Sequence, residues 1–113
     1  MSTVSIGKFG EDIACKYLEQ NGYKVLERNF RVRVGEIDIV TKKADCLCFV
    51  EVKTRKNDKF GLPAEAVNYV KQSKIRQCAK VYLMNYFDYS EISFDVCEVY
   101  TDDRRINYIS NAF

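Results

Sequence analysis

Charged residues lie inside two of the most apolar stretches of this chain, and their placement constrains the fold more than any other feature. Residues 47–53 carry Glu51 and Lys53 among Leu, Cys, Phe and Val, and residues 35–40 carry Glu36 and Asp38. Both stretches predict β-strands. Acidic and lysine side chains are seldom buried without partners, and an unpaired buried charge is costly. The fold must therefore bring these charges together or use them to bind a ligand.

The size and composition of the chain predict one α/β domain spanning residues 1–113. A chain of 113 residues with 47% hydrophobic and 30% charged residues is long enough and apolar enough for a single core. The first residues lack the apolar segment of a secretion signal, and no apolar run approaches the roughly 20 residues of a membrane span. We therefore expect a cytoplasmic protein without a membrane partner.

The cysteine and histidine content excludes several kinds of site. The five cysteines are spread without a CxxC pair, and the chain has no histidine. This content disfavours a zinc site and a disulfide framework, and it predicts reduced thiols. Cys46 and Cys48 should share one face of a strand. Without histidine, Ser–His and Cys–His mechanisms are excluded.

The periodicity of apolar residues predicts the order αβββαβ with a short terminal strand. The continuous apolar character of the third strand predicts a central position with both faces covered. A crossover helix should make the fourth strand parallel to it. The inner face of the second helix is predicted to include Val67, Val70, Ile75 and Cys78. Helices are predicted at residues 5–21 and 64–84, and strands at 23–32, 35–41, 46–54, 92–100 and 106–109.

The hairpin formed by the second and third strands predicts a metal site. A turn at residues 42–45 places Asp38 beside Val50 or Glu51, where facing Cβ atoms lie about 5 Å apart. Two carboxylates at that separation repel each other unless a cation lies between them. Mg²⁺ prefers oxygen ligands. The predicted ligands are Asp38, Glu51 and the main-chain carbonyl of Val52, and Lys53 is predicted to activate the attacking water or stabilise the transition state.

Two features of this prediction have alternatives. The charges of the hairpin could form a buried ion pair without a metal. The periodicity of the first helix favours a surface position for Glu11, and a position near the metal is the alternative. Asp95, inside the fourth strand, is predicted to be a structural hydrogen-bond acceptor.

The distribution of charge predicts a basic face that could bind a phosphate backbone. Residues 53–80 include eight basic and two acidic residues, and residues 88–103 include six acidic residues and no basic ones. A solvated helix face is the alternative. The candidate nucleic-acid contacts are Arg31, Arg33, Arg55, Lys56, Lys59, Lys71 and Lys74.

Several motifs along almost the whole chain resemble the YraN-like family of bacterial proteins. They are GE at 10–11, LERNFR at 26–31, GEID at 35–38, FVEVKTR at 49–55, AEAV at 64–67, FDV at 94–96 and NAF at 111–113. That family is assigned to the restriction-endonuclease-like PD-(D/E)xK superfamily and is similar to Holliday junction resolvases.

This resemblance implies a restriction-endonuclease-like core, with a mixed central sheet flanked by helices, and a nuclease that uses Mg²⁺ or Mn²⁺. Asp38, Glu51 and Lys53 take the positions of the motif's aspartate, second acid and lysine, and Glu11 matches a glutamate of the first helix that lies near the metal. Ile37 replaces the proline of the motif, a position that varies in the superfamily.

The leading hypothesis is a metal-dependent DNA endonuclease that is selective for branched DNA. A symmetric cut across a junction requires two-fold symmetry, so a homodimer is expected. The second hypothesis is a non-catalytic nucleic-acid-binding module of a larger DNA-processing complex. A third is a protein-interaction scaffold with a structural charge cluster.

Overall fold

The computed structural model describes residues 3–57 and 67–113, with side chains from Gly7 onward. The described residues form an α/β fold in which two helices flank a five-stranded mixed sheet, and this architecture is compatible with a restriction-endonuclease-like core. The predicted order of elements is confirmed. The elements are α1 (Thr3–Gln20), β1 (Lys24–Val32), β2 (Gly35–Lys43), β3 (Cys46–Arg55), α2 (Tyr69–Leu83), β4 (Glu91–Tyr100) and β5 (Ile106–Ile109).

The sheet places β3 at its centre, as its apolar sequence predicts. The strand order is β1-β2-β3-β4-β5. β3 pairs antiparallel with β2 and parallel with β4, and the two outer pairs are antiparallel. Ala14 and Leu18 of α1 pack with Val50 on one face of the sheet, and Ile75 of α2 packs with Phe49 on the other. The two helices therefore cover both faces of β3.

The start of α2 differs from the prediction. Val67 and Asn68 lie outside the helix, and the Asn68 side chain caps it by accepting a hydrogen bond of 2.9 Å from the backbone N–H of Lys71. Val67 is buried as predicted, but Val70 is 62% exposed, so its assignment to the inner face is wrong. Val70 lies about 140° around the helix from Ile75 because five residues span nearly one and a half turns. Lys59 and residues 64–66 lie outside the described residues.

The hairpin between β2 and β3 is tighter than predicted. β2 continues to Lys43, and the turn consists of Ala44 and Asp45, with Ala44 at a φ of 53°. Two-residue hairpin turns require positive φ because this backbone twist matches that of the paired strands. In the described part of the chain, no helix has the length and hydropathy needed to cross a bilayer.

Gly10 allows α1 to pack closely against β3. A Cβ atom at this position would lie 2.0 Å from Thr54 Oγ1 and 3.1 Å from Thr54 Cβ. Side-chain atoms do not approach each other this closely, so any larger residue would push the helix away from the strand or rotate Thr54. The close approach matters for the next residue, Glu11, since it fixes the height of that carboxylate above the sheet.

We expect Gly10→Ala to lower the free energy of unfolding by about 1–3 kcal/mol, because the clash with Thr54 outweighs the higher helix propensity of alanine. Gly7→Ala is the matched control: it lies in the same helix, and its added methyl group would have no atom within 4 Å, so it should be neutral or slightly stabilising. Urea unfolding followed by circular dichroism measures both variants. Thr54→Ala in the Gly10→Ala background should recover part of the loss. A stabilised Gly10→Ala variant would contradict the packing argument.

Candidate active site

Asp38 lies where the pairing between β2 and β3 stops. That pairing runs from Lys43 opposite Cys46 to Ile39 opposite Val50. At the next position Asp38 Oδ2 accepts a hydrogen bond of 2.8 Å from the backbone N–H of Val52. The side chain of Asp38 is therefore turned towards β3, next to Glu51. Counting residues from the hairpin turn predicted Val50 or Glu51 as its neighbour.

Carboxylates from two further positions converge on Asp38. Oxygen atoms of Glu11, Glu36 and Asp38 lie within 4.8 Å of one another, and all three residues are half-buried. Glu11 comes from α1, while Glu36 and Asp38 are two positions apart on β2. Sequence reasoning did not include Glu36 among the site residues. The signal was available, because side chains two positions apart on a strand point to the same face.

This crowding changes the acidity of Asp38. Burial raises the pKa of Asp38 to about 7, and the charge of Glu51 contributes to the rise. The hydrogen bond from Val52 lowers the pKa of Asp38, while Glu11 and Glu36 raise it further. Burial also raises the pKa of Glu11, against the lowering effects of Asn29 and Arg28. The cluster therefore favours the uptake of a proton or a cation near neutral pH.

Two lysines contact Glu51, which is almost completely buried. Lys71 Nζ lies 3.1 Å from Glu51 Oε1, and Lys53 Nζ lies 3.8 Å from the same oxygen. Burial lowers the pKa of Lys71, but the charge of Glu51 and its hydrogen bond, with smaller effects from Asp38 and Glu36, raise it above its ordinary value overall. The structure thus places Lys53 beside Glu51, and it also brings in Lys71, which the sequence suggested only as a contact for phosphate.

Two grooves meet at Glu36. The first has a volume of about 570 Å³ and the second about 350 Å³. An extended ligand that crosses Glu36 from one groove to the other would pass the acidic cluster with basic side chains on either side. The first groove is lined by Gly7, Lys8, Glu11, Arg28, Asn29, Arg31 and Glu36, and the second by Val34, Gly35, Glu36, Asp38, Lys71, Lys74 and Ile75.

Some of the predicted nucleic-acid contacts lie in these grooves and others do not. Arg31 lines the first groove, and its Nε lies 2.8 Å from Glu36 Oε2. Lys71 and Lys74 line the second groove. Arg33 is exposed at the turn between β1 and β2.

The remaining described candidates lie elsewhere. Arg55 and Lys56 lie at the end of β3 outside both grooves, with Arg55 Nε 3.8 Å from Glu98 Oε2. Lys8 and Arg28 also line the first groove, and neither was among the predicted contacts.

Only some of the six acidic residues between positions 88 and 103 lie at the surface. Asp95 and Glu98 are buried with 1% and 0% exposure, so neither contributes charge to the surface. Asp95 accepts hydrogen bonds from the hydroxyl groups of Ser93 and Tyr108 and from the backbone N–H of Asn111. The prediction that Asp95 is a structural acceptor is therefore confirmed.

Comparison with known proteins places the whole chain in one family. Residues 10–99 match the model of the uncharacterised protein family UPF0102. A UPF0102 protein of Clostridioides difficile strain 630 is 47% identical over the full length of both chains. One of Clostridium kluyveri is 48% identical over 96% of this chain and 93% of the relative, and one of Dictyoglomus turgidum is 42% identical over the full length of both. This chain belongs to the UPF0102 family.

Proposed function

We propose that this protein is an endonuclease that hydrolyses the phosphodiester bonds of DNA with the aid of Mg²⁺ or Mn²⁺. One observation carries the proposal: Glu11, Glu36 and Asp38 converge where two grooves lined by basic side chains meet, and Glu51 lies beside Asp38 on the neighbouring strand. The resemblance to nuclease motifs supports it, because Asp38, Glu51 and Lys53 occupy the motif positions and lie together in space.

The donor atoms of the site fit a hard divalent cation. All four side chains offer carboxylate oxygens, which Mg²⁺ and Mn²⁺ prefer over the nitrogen and sulfur ligands of zinc sites. Asp38 and Glu51, with the carbonyl of Val52, are the proposed ligands, and Glu11 and Glu36 supply further oxygens. A bound ion would provide a Lewis acid for the phosphate and lower the pKa of a coordinated water.

The basic side chains supply the other roles that the reaction requires, which are orienting the water, stabilising charge and binding phosphates. Lys53, anchored on the central strand and 3.8 Å from Glu51, orients the attacking water or stabilises the charge that develops on the phosphate. Lys8 and Arg31 in the first groove and Lys71 and Lys74 in the second bind phosphates on either side of the bond to be cut. Further backbone contacts are proposed for Arg33, Arg55, Lys56 and Lys59.

The experiment is cleavage of end-labelled linear, nicked, flapped and four-way-junction DNA in Mg²⁺ or Mn²⁺. We expect the wild-type protein to cut branched DNA fastest and EDTA to stop the reaction. Glu51→Gln should reduce the initial rate by at least about 100-fold, since it removes the charge that binds the metal. Glu91→Gln is the matched control, because Glu91 is exposed and pairs with Cys46 at the opposite end of β3. It should cut like the wild type.

The same experiment separates the competing functions. Equal cutting by wild type and Glu51→Gln would contradict a nuclease at this site. If neither protein cuts but both bind DNA with an affinity that falls steeply with salt, the binding-module hypothesis replaces the nuclease. If neither cuts nor shows salt-dependent binding, the interaction-scaffold hypothesis remains. Sedimentation of the protein with a four-way junction tests the expected homodimer.

A further inference from the structure

Lys71 and Glu51 form an ion pair in which one partner is fixed and the other can move. Glu51 lies on the central strand with only 5% of its side chain exposed, whereas the side chain of Lys71 is 45% exposed. Their charged atoms are 3.1 Å apart, closer than the 3.8 Å between Lys53 and the same carboxylate oxygen. Lys71 lies in the first turn of α2, where the Asn68 cap fixes the backbone and the long side chain extends from it to Glu51 in partial contact with solvent.

We propose that Lys71 is the counter-ion of Glu51 in the metal-free protein, that a divalent cation displaces it, and that the released ammonium group then binds a phosphate of the nucleic acid. This inference rests on the proposed function, because it takes Asp38 and Glu51 as ligands of the cation. It goes beyond that function by proposing that the ammonium group of Lys71 and the divalent cation replace each other at the carboxylate of Glu51.

The charge of the site supplies the reason for the exchange. Glu11, Glu36 and Asp38 converge, and Glu51 lies beside Asp38 on the neighbouring strand. The metal-free site therefore needs positive charge, and Lys53 and Lys71 provide it at Glu51. A divalent ion beside Glu51 repels both ammonium groups. Lys71 is the more exposed of the two and reaches the site from a helix outside the sheet, so it leaves at the lower cost.

The second groove defines where the released side chain goes. Lys71 lines this groove together with Asp38, Lys74 and Val34. An ammonium group that leaves Glu51 therefore stays within reach of a phosphate bound in the groove. The same side chain thus opposes metal binding in the free protein and favours nucleic acid once the metal is bound.

Titration with Mn²⁺ alone, with free Mn²⁺ counted by electron paramagnetic resonance, tests the first half of the exchange. Lys71→Met should bind Mn²⁺ about tenfold more tightly than the wild type, since a competing cation next to a ligand is removed. Lys71→Arg, which keeps the charge, should stay within about twofold of the wild type. Lys80→Met, an exposed site in the last turn of the same helix, is the control for loss of a lysine from α2.

Binding of fluorescently labelled duplex DNA in Ca²⁺ tests the second half. Lys71→Met should bind DNA about fivefold more weakly, and the slope of log affinity against log salt should fall in magnitude by about one. Opposite effects on Mn²⁺ and on DNA are the signature of the exchange, since a purely structural role would move both affinities in the same direction. Circular dichroism checks that each variant is folded.

Two results overturn the inference, and they can be told apart. If the wild type binds Mn²⁺ through Asp38, as shown by loss of binding in Asp38→Asn, but Lys71→Met binds it no more tightly, the exchange is wrong and the proposed metal site stands. If Asp38→Asn binds Mn²⁺ as well as the wild type, or neither binds it, the metal site and the exchange fail together. If Lys71→Met does not fold, a tighter Mn²⁺ affinity in Lys71→Gln supports the exchange and an unchanged one overturns it.

Discussion

Asp38→Asn is expected to make the protein more stable at neutral pH while reducing DNA cleavage by about 1,000-fold or more. The pKa of Asp38 is raised to about 7 by burial and by neighbouring carboxylates, so its charged form is unfavourable in the folded protein. Asparagine removes the charge and can still accept the hydrogen bond from the N–H of Val52. We expect a gain of about 1–3 kcal/mol at pH 8, given that one pKa unit corresponds to about 1.4 kcal/mol and that part of the side chain stays accessible to solvent.

The pH dependence of this effect has a definite sign. The pKa of Asp38 in the folded state is above its ordinary value of 3.8, so between about pH 4 and pH 7 the folded protein binds the proton that the unfolded chain has lost. The free energy of unfolding therefore falls as the pH rises through this range and levels off above it. Asp38→Asn lacks this contribution, so its advantage over the wild type should be larger at pH 8 than at pH 5.

Urea unfolding without divalent ions, at both pH values, measures the effect. Asp45→Asn in the exposed turn between β2 and β3 is the matched control and should differ from the wild type by less than about 0.5 kcal/mol. Added Mn²⁺ should stabilise the wild type but not Asp38→Asn, because a ligand that binds only the folded state stabilises it. A variant less stable than the wild type at pH 8 would show that Asp38 serves the fold rather than a ligand.

The strands and their partners could be predicted from the sequence because they depend on local patterns. Alternation and apolar runs define β1 to β4, and β5 has the predicted bounds of residues 106–109. The short connection between β2 and β3 makes them a hairpin, and counting from its turn puts Asp38 beside Glu51. These two site residues lie on neighbouring segments of the chain that a short turn joins, so their proximity in space could be predicted from the sequence.

The start of α2 could not be predicted from hydrophobic periodicity alone. Ala64 and Val67 continue the apolar pattern of the helix to its N-terminal side, but the helix begins after Asn68 because its side chain satisfies the N–H of Lys71. A capping residue determines where a helix starts through a specific hydrogen bond. The spacing of apolar residues does not indicate this hydrogen bond. The misplaced start also put Val70 on the inner face.

The rest of the site depends on tertiary packing. Glu11 reaches Asp38 because Gly10 lets α1 lie close to β3, and Lys71 reaches Glu51 because α2 crosses the other face of the sheet. Helical periodicity assigns Glu11 to a surface position and Lys71 to a solvated face. Periodicity gives no information about the angle at which a helix crosses the sheet. The crossing angles follow from the fit of side chains between the layers.

Asp95→Ala is expected to cost about 3–4 kcal/mol of stability, the largest loss that we predict for a single substitution outside the carboxylate cluster. Asp95 is buried and accepts hydrogen bonds from the hydroxyl groups of Ser93 and Tyr108 and from the backbone N–H of Asn111. Removing the carboxylate takes this acceptor away from three donors, and an unsatisfied buried donor costs about 1–3 kcal/mol. Urea unfolding measures the loss. Asp88→Ala, at an exposed residue paired with Lys42, should cost less than about 1 kcal/mol.

The Asp95 network should also affect the active site from a distance. Tyr108, held by Asp95, packs its ring 6.2 Å from Tyr17 of α1 and 5.6 Å from Tyr23, measured between ring centroids. Because α1 also carries Glu11, loosening Tyr108 should let that carboxylate move relative to Asp38. We therefore expect Asp95→Ala to weaken Mn²⁺ binding at a temperature where the variant is still folded, whereas Asp88→Ala leaves it unchanged. Equal Mn²⁺ affinities in the two variants would show that the packing of α1 does not depend on this network.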